Sequence, residues 1–149
     1  MQELLKSAGT YRTSNVGVGG KEGVVHVAPP IGQIPKLMGD LIQWLSTTDE
    51  HPLIISSVFH YEFEFIHPFI DGNGRIGRFW QSLILYHWNS YFSVIPIESI
   101  IRDKQQEYYK VLEECEANGE STLFIEFALQ SILEAIDTVL IQCSSMDLV

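Results

Sequence analysis

Cysteine, basic residues and long apolar runs are all scarce in this chain, and each scarcity removes a class of function. Only two of the 149 residues are cysteines, Cys115 and Cys143. They are widely separated, and each lies inside a helical pattern with no metal-like partner, so both read as reduced, small apolar residues of a cytoplasmic protein. Nine Lys and Arg stand against 19 Asp and Glu, a formal net charge of −10. Phosphate backbones are bound by dense arrays of cations, so direct nucleic-acid binding is not expected. No apolar run approaches bilayer length and the N-terminus lacks the order of a secretory signal, which leaves membrane spanning and secretion unsupported. What remains is ordinary globular composition, 46% hydrophobic and 19% charged, long enough for one domain over residues 1–149.

Helical spacing dominates the pattern. Residues 2–8 read as the last turns of a helix stopped at Gly9, an element that looks cut short at its N-terminal side. Tyr11–Val18 and Val24–Val27 are β-branched runs on either side of a glycine-rich loop, which predicts a surface hairpin over about 11–27. Ile34, Leu37, Met38, Leu41, Ile42 and Leu45 lay an apolar stripe along a first full helix. Pro52 suits the first turn of a second helix, and a third is expected from about Asn73 to His87. A further helical region follows Pro96 and runs to about Ala117, with Asn118-Gly119 as its stop. Ser121 or Thr122 caps the last helix, which buries Phe124, Phe127, Ile132, Ala135, Ile136 and Val139. The fold class is all-α, a helical bundle with one small β-hairpin, and that architecture fixes no function by itself.

The chemistry is concentrated in residues 67–78, His-Pro-Phe-Ile-Asp-Gly-Asn-Gly-Arg-Ile-Gly-Arg. Gly72 and Gly74 let the backbone turn its N–H groups together at the start of a helix, whose unpaired N–H groups and positive dipole end suit a phosphate. Arg75 and Arg78 lie on one helical face, placed to clamp further phosphates. Asp71 supplies a carboxylate suited to Mg²⁺, and His67 a base that titrates near neutrality. A loop of this composition implies phosphoryl or nucleotidyl transfer. The P-loop pattern is excluded, because no Lys-Ser or Lys-Thr follows the glycines.

Residues 67–78 resemble, position for position, the motif of the Fic (Fido) domain family, His-x-Phe-x-Asp/Glu-Gly-Asn-Gly-Arg-x-x-Arg. The Val16–Val27 hairpin, Ala28-Pro29-Pro30, Gln43-Trp44-Leu45, His60 and Tyr108–Leu112 follow the order usual in that family, so the likeness spans about residues 10–140. It implies a Fic-type helical bundle and a protein adenylyltransferase. A target hydroxyl of Ser, Thr or Tyr would attack the α-phosphorus of ATP, and pyrophosphate would leave. By this resemblance His67 is the general base, Asp71 holds Mg²⁺, and Gly72, Asn73 and Gly74 form the anion hole. Asn73 also bonds the α-phosphate, Arg75 the β-phosphate, and Arg78 the γ-phosphate or an inhibitory carboxylate. Phe69 would anchor the loop. Tyr109 would stand on the adenine side with Glu116–Asn118 nearby, and Val16, Gly17, Val18, Val25, His26 and Val27 would form a flap that docks the target as an added strand. A homodimer is compatible with the resemblance.

The family's inhibitory helix, with Ser or Thr, three intervening residues and then a Glu that is followed by Gly or Asn, finds no match. Ser46–Glu50 precedes His51 and Thr122–Glu126 precedes Phe127. The expectation is a chain not restrained in cis by such a helix and without de-adenylylation. Alternatives from the same residues are transfer of a phosphoryl, uridylyl or phosphocholine group, or nucleotide sensing without catalysis. The intact Gly-Asn-Gly argues against the kinase-like form. Outside the motif, Arg12 and Lys21 read as surface cations and Glu62 and Glu64 as solvated faces. His26 reads as a surface flap residue, His87 as a helix histidine, and His60 as a core-facing partner of the loop. Trp44, Trp80 and Trp88 read as core or interface.

Overall fold

The computed structural model describes residues 9–20 and 23–146. Two strands, β1 (Gly17–Gly20) and β2 (Gly23–Val27), are followed by α1 (Ile34–Thr47), α2 (Pro52–Ile66), α3 (Asn73–Trp88), α4 (Ile97–Asp103), α5 (Gln105–Asn118) and α6 (Thr122–Met146), with short 3₁₀ turns at Ile31–Gln33 and Ser90–Ser93. The helical bundle with a small hairpin is therefore present. The helix expected over 2–8 lies outside the described residues, although Gly9 does adopt a positive φ of 78°.

Each helix boundary has a local cause. α1 opens with proline in its first turn and buries Ile34, Met38 and Leu41 from its apolar stripe. α2 starts at Pro52, capped by the His51 ring, which accepts from the Leu53 N–H. It is the central helix, in contact with α1, α3 and α6, and so is buried on several sides. One apolar cluster joins α1 to α2 through Ile34, Met38, Phe59, Phe63 and Ile66. The other gathers α2, α4, α5 and α6 around Tyr61, Ile101, Leu112, Phe124 and Ile132. α5 stops at Gly119, whose φ of 68° is the left-handed value that favours glycine.

Two expected elements differ from the observed ones. The first strand begins at Gly17, not Tyr11. The Arg12 N–H is committed instead to the Pro68 carbonyl at 2.9 Å, so the segment before the hairpin runs as a tie across the loop that follows α2. The helical region after Pro96 is interrupted at Lys104, where φ is −98° and ψ is 25°. That turn lets α4 and α5 pack separately on α6, and the Lys104 Nζ reaches Glu134 Oε1 on α6 at 2.5 Å. In the hairpin, Gly17 pairs with Val27 and Val18 with His26, with an irregularity between Val18 and Gly19. The sheet has only these two strands among the described residues, so each keeps an unpaired edge.

Candidate active site

The loop between α2 and α3 is held in one shape from several sides. His67 ends α2 in the left-handed region, φ 48° and ψ 60°, and is the only non-glycine residue with positive φ among those described. Such a conformation is costly for a residue with a side chain and persists only where its surroundings hold it. Arg12 supplies much of that hold. Its guanidinium donates to the carbonyls of His67 (2.8 Å), Ser14 (2.9 Å) and Pro29 (2.5 Å), and at 3.5 Å to that of Ile66. With 4% of its surface exposed, Arg12 is a buried clamp rather than a surface cation. A lone arginine in a polar stretch carries no sequence signal of this role.

Asn73 closes the loop from the other end. Its Oδ1 accepts from the Phe69 N–H at 2.9 Å and its Nδ2 donates to the Phe69 carbonyl at 2.8 Å. Both ends of the side-chain amide are thus engaged with Phe69, which leaves the backbone N–H of Asn73 for a ligand. Phe69 packs against the α1–α2 cluster. Gly72 precedes α3 with φ 86°, and no side chain caps the helix. The first internal bond runs from the Ile76 N–H to the Gly72 carbonyl, so the N–H groups of Asn73, Gly74 and Arg75 have no acceptor within the helix. The result is an uncapped N-terminus of a 16-residue helix, fit for an anion.

The charged side chains ring this N-terminus. Arg75 is exposed, with Nη2 3.6 Å from Asp71 Oδ2, while Asp71 Oδ1 accepts from the Gly72 N–H at 2.7 Å. Arg78 is more enclosed, with Nε 3.7 Å from Glu98 Oε1 on α4. A methyl group added at Gly74 would stand 3.2 Å from Arg78 Nη1, and one added at Gly72 would stand 3.5 Å from Arg75 Nη2, so the two guanidinium groups lie over the two glycines. No group of three His, Cys, Asp or Glu among the described residues could enclose a metal by itself. Asp71 is a single exposed carboxylate beside the helix N-terminus, the kind of hard oxygen donor that would suit Mg²⁺ together with a bound phosphate.

Behind the loop lies a buried polar layer that reaches beyond the sequence motif. His60 is fully buried, its Nδ1–H donating to Gln81 Oε1 at 2.9 Å and its Nε2 facing the Tyr108 hydroxyl at 3.4 Å. Burial lowers its pKa to about 4 despite the Gln81 bond, with Arg78 pushing the same way as burial, so it stays neutral as a core partner of the loop. Glu64 is buried, not solvated: it lies three residues before His67 on the face of α2 that looks toward α3. Burial raises its carboxyl to about 7, and Arg78 opposes the rise. For His67 burial lowers the pKa first, the Glu64 backbone carbonyl raises it, and the charges of Arg12 and His26 lower it.

His26 also departs from expectation. It is 7% exposed, its Nε2–H donating to the Phe65 carbonyl at 2.7 Å and its Nδ1 lying 3.1 Å from Glu116 Oε2. Alternation in β2 sends His26 inward and leaves Val27 70% exposed, and a buried imidazole in a strand needs partners from the neighbouring helices. Glu116 is thereby engaged with the hairpin. A cavity of about 10 Å³, room for about one water, lies among His26, Tyr61, Glu64, Phe65, Leu112 and Glu116. Tyr109 is half-buried on α5, edge-on to Tyr108 at 5.5 Å. Val16 is half-buried and Gly17 exposed, while Val18 stands opposite His26 in the hairpin and Val25 lies in β2. Trp44 and Trp80 pack against the α1–α2 cluster, and Trp88 and His87 lie exposed near the end of α3.

Gly77 is where this layer tolerates least change. A methyl group there would stand 3.0 Å from His60 Cδ2 and 3.2 Å from Glu64 Oε1, both on buried side chains. Gly77→Ala is expected to destabilise the protein by about 1–3 kcal/mol through overpacking. Gly74→Ala meets chiefly the end of the Arg78 side chain and should change folding stability less. Urea unfolding of the two variants checks the difference.

The model of the Fic/DOC family matches residues 1–85, and the chain belongs to that family. It is similar to "Protein adenylyltransferase Fic" of Nematostella vectensis, 31% identical over 136 residues, covering 89% of this chain and 29% of that protein. The protein of the same name from Drosophila yakuba is 30% identical over 135 residues, covering 89% and 25%. Among solved structures, a Fic family protein from Desulfovibrio desulfuricans G20 superposes with a TM-score of 0.89 at 47% identity, over 95% of this chain and 44% of that one. A Fic domain-containing signalling protein from Bacteroides thetaiotaomicron shares the fold alone, with a TM-score of 0.62 at 21% identity over 85% of this chain and 53% of that one. The chain spans less than a third of the length of these two curated relatives. No described helix is long and apolar enough to cross a membrane.

Proposed function

We propose that this Fic domain, residues 1–149, is a protein adenylyltransferase that moves AMP from ATP to a Ser, Thr or Tyr hydroxyl of a target protein. The observation that carries the reading is His67 held in the left-handed conformation immediately before the uncapped N-terminus of α3. A base and an anion cradle thereby share one short loop. The names of the relatives above support the choice of adenylyl transfer over phosphoryl, uridylyl or phosphocholine transfer.

The chemistry follows from the positions. His67 Nδ1 is turned into the protein beside Glu64, so Nε2 is the nitrogen left to take the target's proton. As that proton leaves, the hydroxyl oxygen bonds to the α-phosphorus, the bond from the α-phosphorus to the bridging oxygen breaks, and pyrophosphate departs. The N–H groups of Asn73 and Gly74 receive the negative charge that grows on the α-phosphate, fixed in advance by the helix and the Gly72 turn. Arg75 takes the β-phosphate and Arg78 the γ-phosphate, the latter exchanging Glu98 for the nucleotide. Mg²⁺ held by Asp71 would offset phosphate charge. Tyr109 borders the adenine. The target lies along the unpaired edge of the hairpin as an added strand.

The expected product is a target peptide heavier by one AMP unit on a hydroxyl side chain, found by mass spectrometry after incubation of a cell lysate with the chain, ATP and Mg²⁺. Peptides heavier by a phosphoryl group, present with the wild-type chain and absent with His67→Ala, and with no AMP-bearing peptide beside them, would refute adenylyl transfer. ATP binding by calorimetry with no modified peptide would favour the sensing alternative.

A further inference from the structure

We propose that Glu64 is a positioning residue for His67: its carboxylate keeps the imidazole with Nδ1–H turned inward and balances the charge that His67 gains when Nε2 takes the target's proton. The proposal rests on the base role given to His67 above. Glu64 Oε2 lies 3.8 Å from His67 Nδ1, with the Glu64 side chain 5% exposed and that of His67 18%. Glu64 Oε1 and His67 Nδ1 make no hydrogen bond of ordinary geometry although both atoms are buried, and the Glu64 backbone carbonyl is the other acceptor beside the imidazole. Buried polar atoms are seldom left unpaired, and here the nearest ionisable group to His67 Nδ1 on α2 is the Glu64 carboxyl.

The surroundings leave deliberate room for this carboxyl. Methyl groups at Gly74 and Gly77 would stand 3.6 and 3.2 Å from Oε1, so both glycines make space for Glu64 under the first turns of α3. Arg78 favours the ionised form of Glu64 through its charge but makes its ion pair with Glu98, at 3.7 Å. At 3.8 Å the imidazole and carboxyl are beyond hydrogen-bond range, and catalytic contacts of this kind commonly shorten when charge develops. The proton passes from the target hydroxyl to Nε2. Nδ1–H then points at an anion, so the imidazolium is stabilised by an adjacent charge without moving a second proton.

The titratable and charged neighbours set the pH range. His60 and His67 face Glu64 along α2, Arg78 from α3, Tyr108 from α5 and His26 from β2, with Tyr61 and Glu116 lining the same cavity and Arg12 near His67. Burial brings the Glu64 carboxyl to about 7. The supporting form is the ionised one, so the transfer rate should fall as pH drops through about 7. Glu64→Gln keeps the shape and removes the charge. It should lose this limb of the pH profile and slow saturated transfer about 10- to 100-fold, with ATP affinity within about twofold of wild type.

The test is NMR titration of the full chain, wild type and Glu64→Gln, with labelled His and Glu, alongside the pH profile of transfer. In the wild type the Glu64 carboxyl and His67 imidazole signals should each respond to the other's titration. In Glu64→Gln the His67 midpoint should move to lower pH, because the anion favouring the imidazolium is gone. Independent wild-type titrations overturn the proposal, and this holds even if the variant does not fold. A His67 midpoint unchanged in Glu64→Gln overturns it too, as does wild-type transfer matched by the variant in rate and pH profile, which would leave the adenylyltransferase reading standing. Coupled titrations in a wild type that transfers no AMP would uphold the pairing while refuting that reading.

Discussion

Replacing His67 by Ala is expected to lower AMP transfer about 10³-fold or more while leaving ATP binding nearly unchanged. The phosphate-binding parts do not depend on the imidazole. Arg75 and Arg78 extend from α3, and the uncapped N–H groups belong to that helix. The proton, by contrast, has no other acceptor so placed: His60 is fully buried and His26 is engaged with Phe65 and Glu116. General bases contribute about 10²- to 10⁴-fold. His67→Asn sharpens the test. Asn tolerates the left-handed backbone better than most residues, so it keeps the loop while removing the base. Calorimetry for ATP affinity and single-turnover rates for transfer make the measurement. Substantial transfer by either variant would remove His67 from the mechanism.

The second large effect is expected at Arg12, far from the motif in sequence. Arg12→Met fills similar volume but withdraws the donors that now serve the carbonyls of His67, Ser14 and Pro29. Each buried acceptor left without a partner costs about 1–3 kcal/mol, and the sum takes a large part of the ~5–15 kcal/mol that holds a domain together. A loss of about 3–5 kcal/mol corresponds to a melting point lower by roughly 10 °C for a chain of this size. Transfer should fall further than stability explains, because the strained His67 backbone loses its clamp. Arg12→Lys should fare little better. One ammonium group cannot supply the planar set of donors that reaches three separate carbonyls. Thermal melts and transfer rates of both variants, taken below the melting point, decide it. Wild-type stability and rate in Arg12→Met would show that the loop holds its shape unaided.

Much of this molecule can be read from residue spacing. The stripe from Ile34 to Leu45, Pro52 at a helix start, and Gly119 as a helix stop are local features with local causes, and each element stands where the pattern puts it. The motif loop was legible for the same reason: glycines, a helix start and charged residues occur together over twelve positions. The misread residues are those whose partners come from distant segments. Arg12 binds carbonyls up to 55 positions away, and His26 meets Phe65 and Glu116. Lys104 interrupts a helix with neither glycine nor proline, because α4 and α5 pack separately on α6. Glu64 was the recoverable one. Its spacing of three from His67 puts both on one helix face, a hint outweighed by the usual exposure of glutamate.

Adenylyl and phosphoryl transfer differ in which bond of ATP breaks. The direct measurement incubates the chain, Mg²⁺ and a cell lysate with ATP labelled at the α-phosphate in one sample and at the γ-phosphate in another, and follows label on acid-precipitated protein. Attack at the α-phosphorus predicts α-label on protein and γ-label released as pyrophosphate, with the protein-bound label absent in His67→Ala. γ-Label on protein that depends on His67 would contradict adenylyl transfer and assign phosphoryl transfer to the same loop.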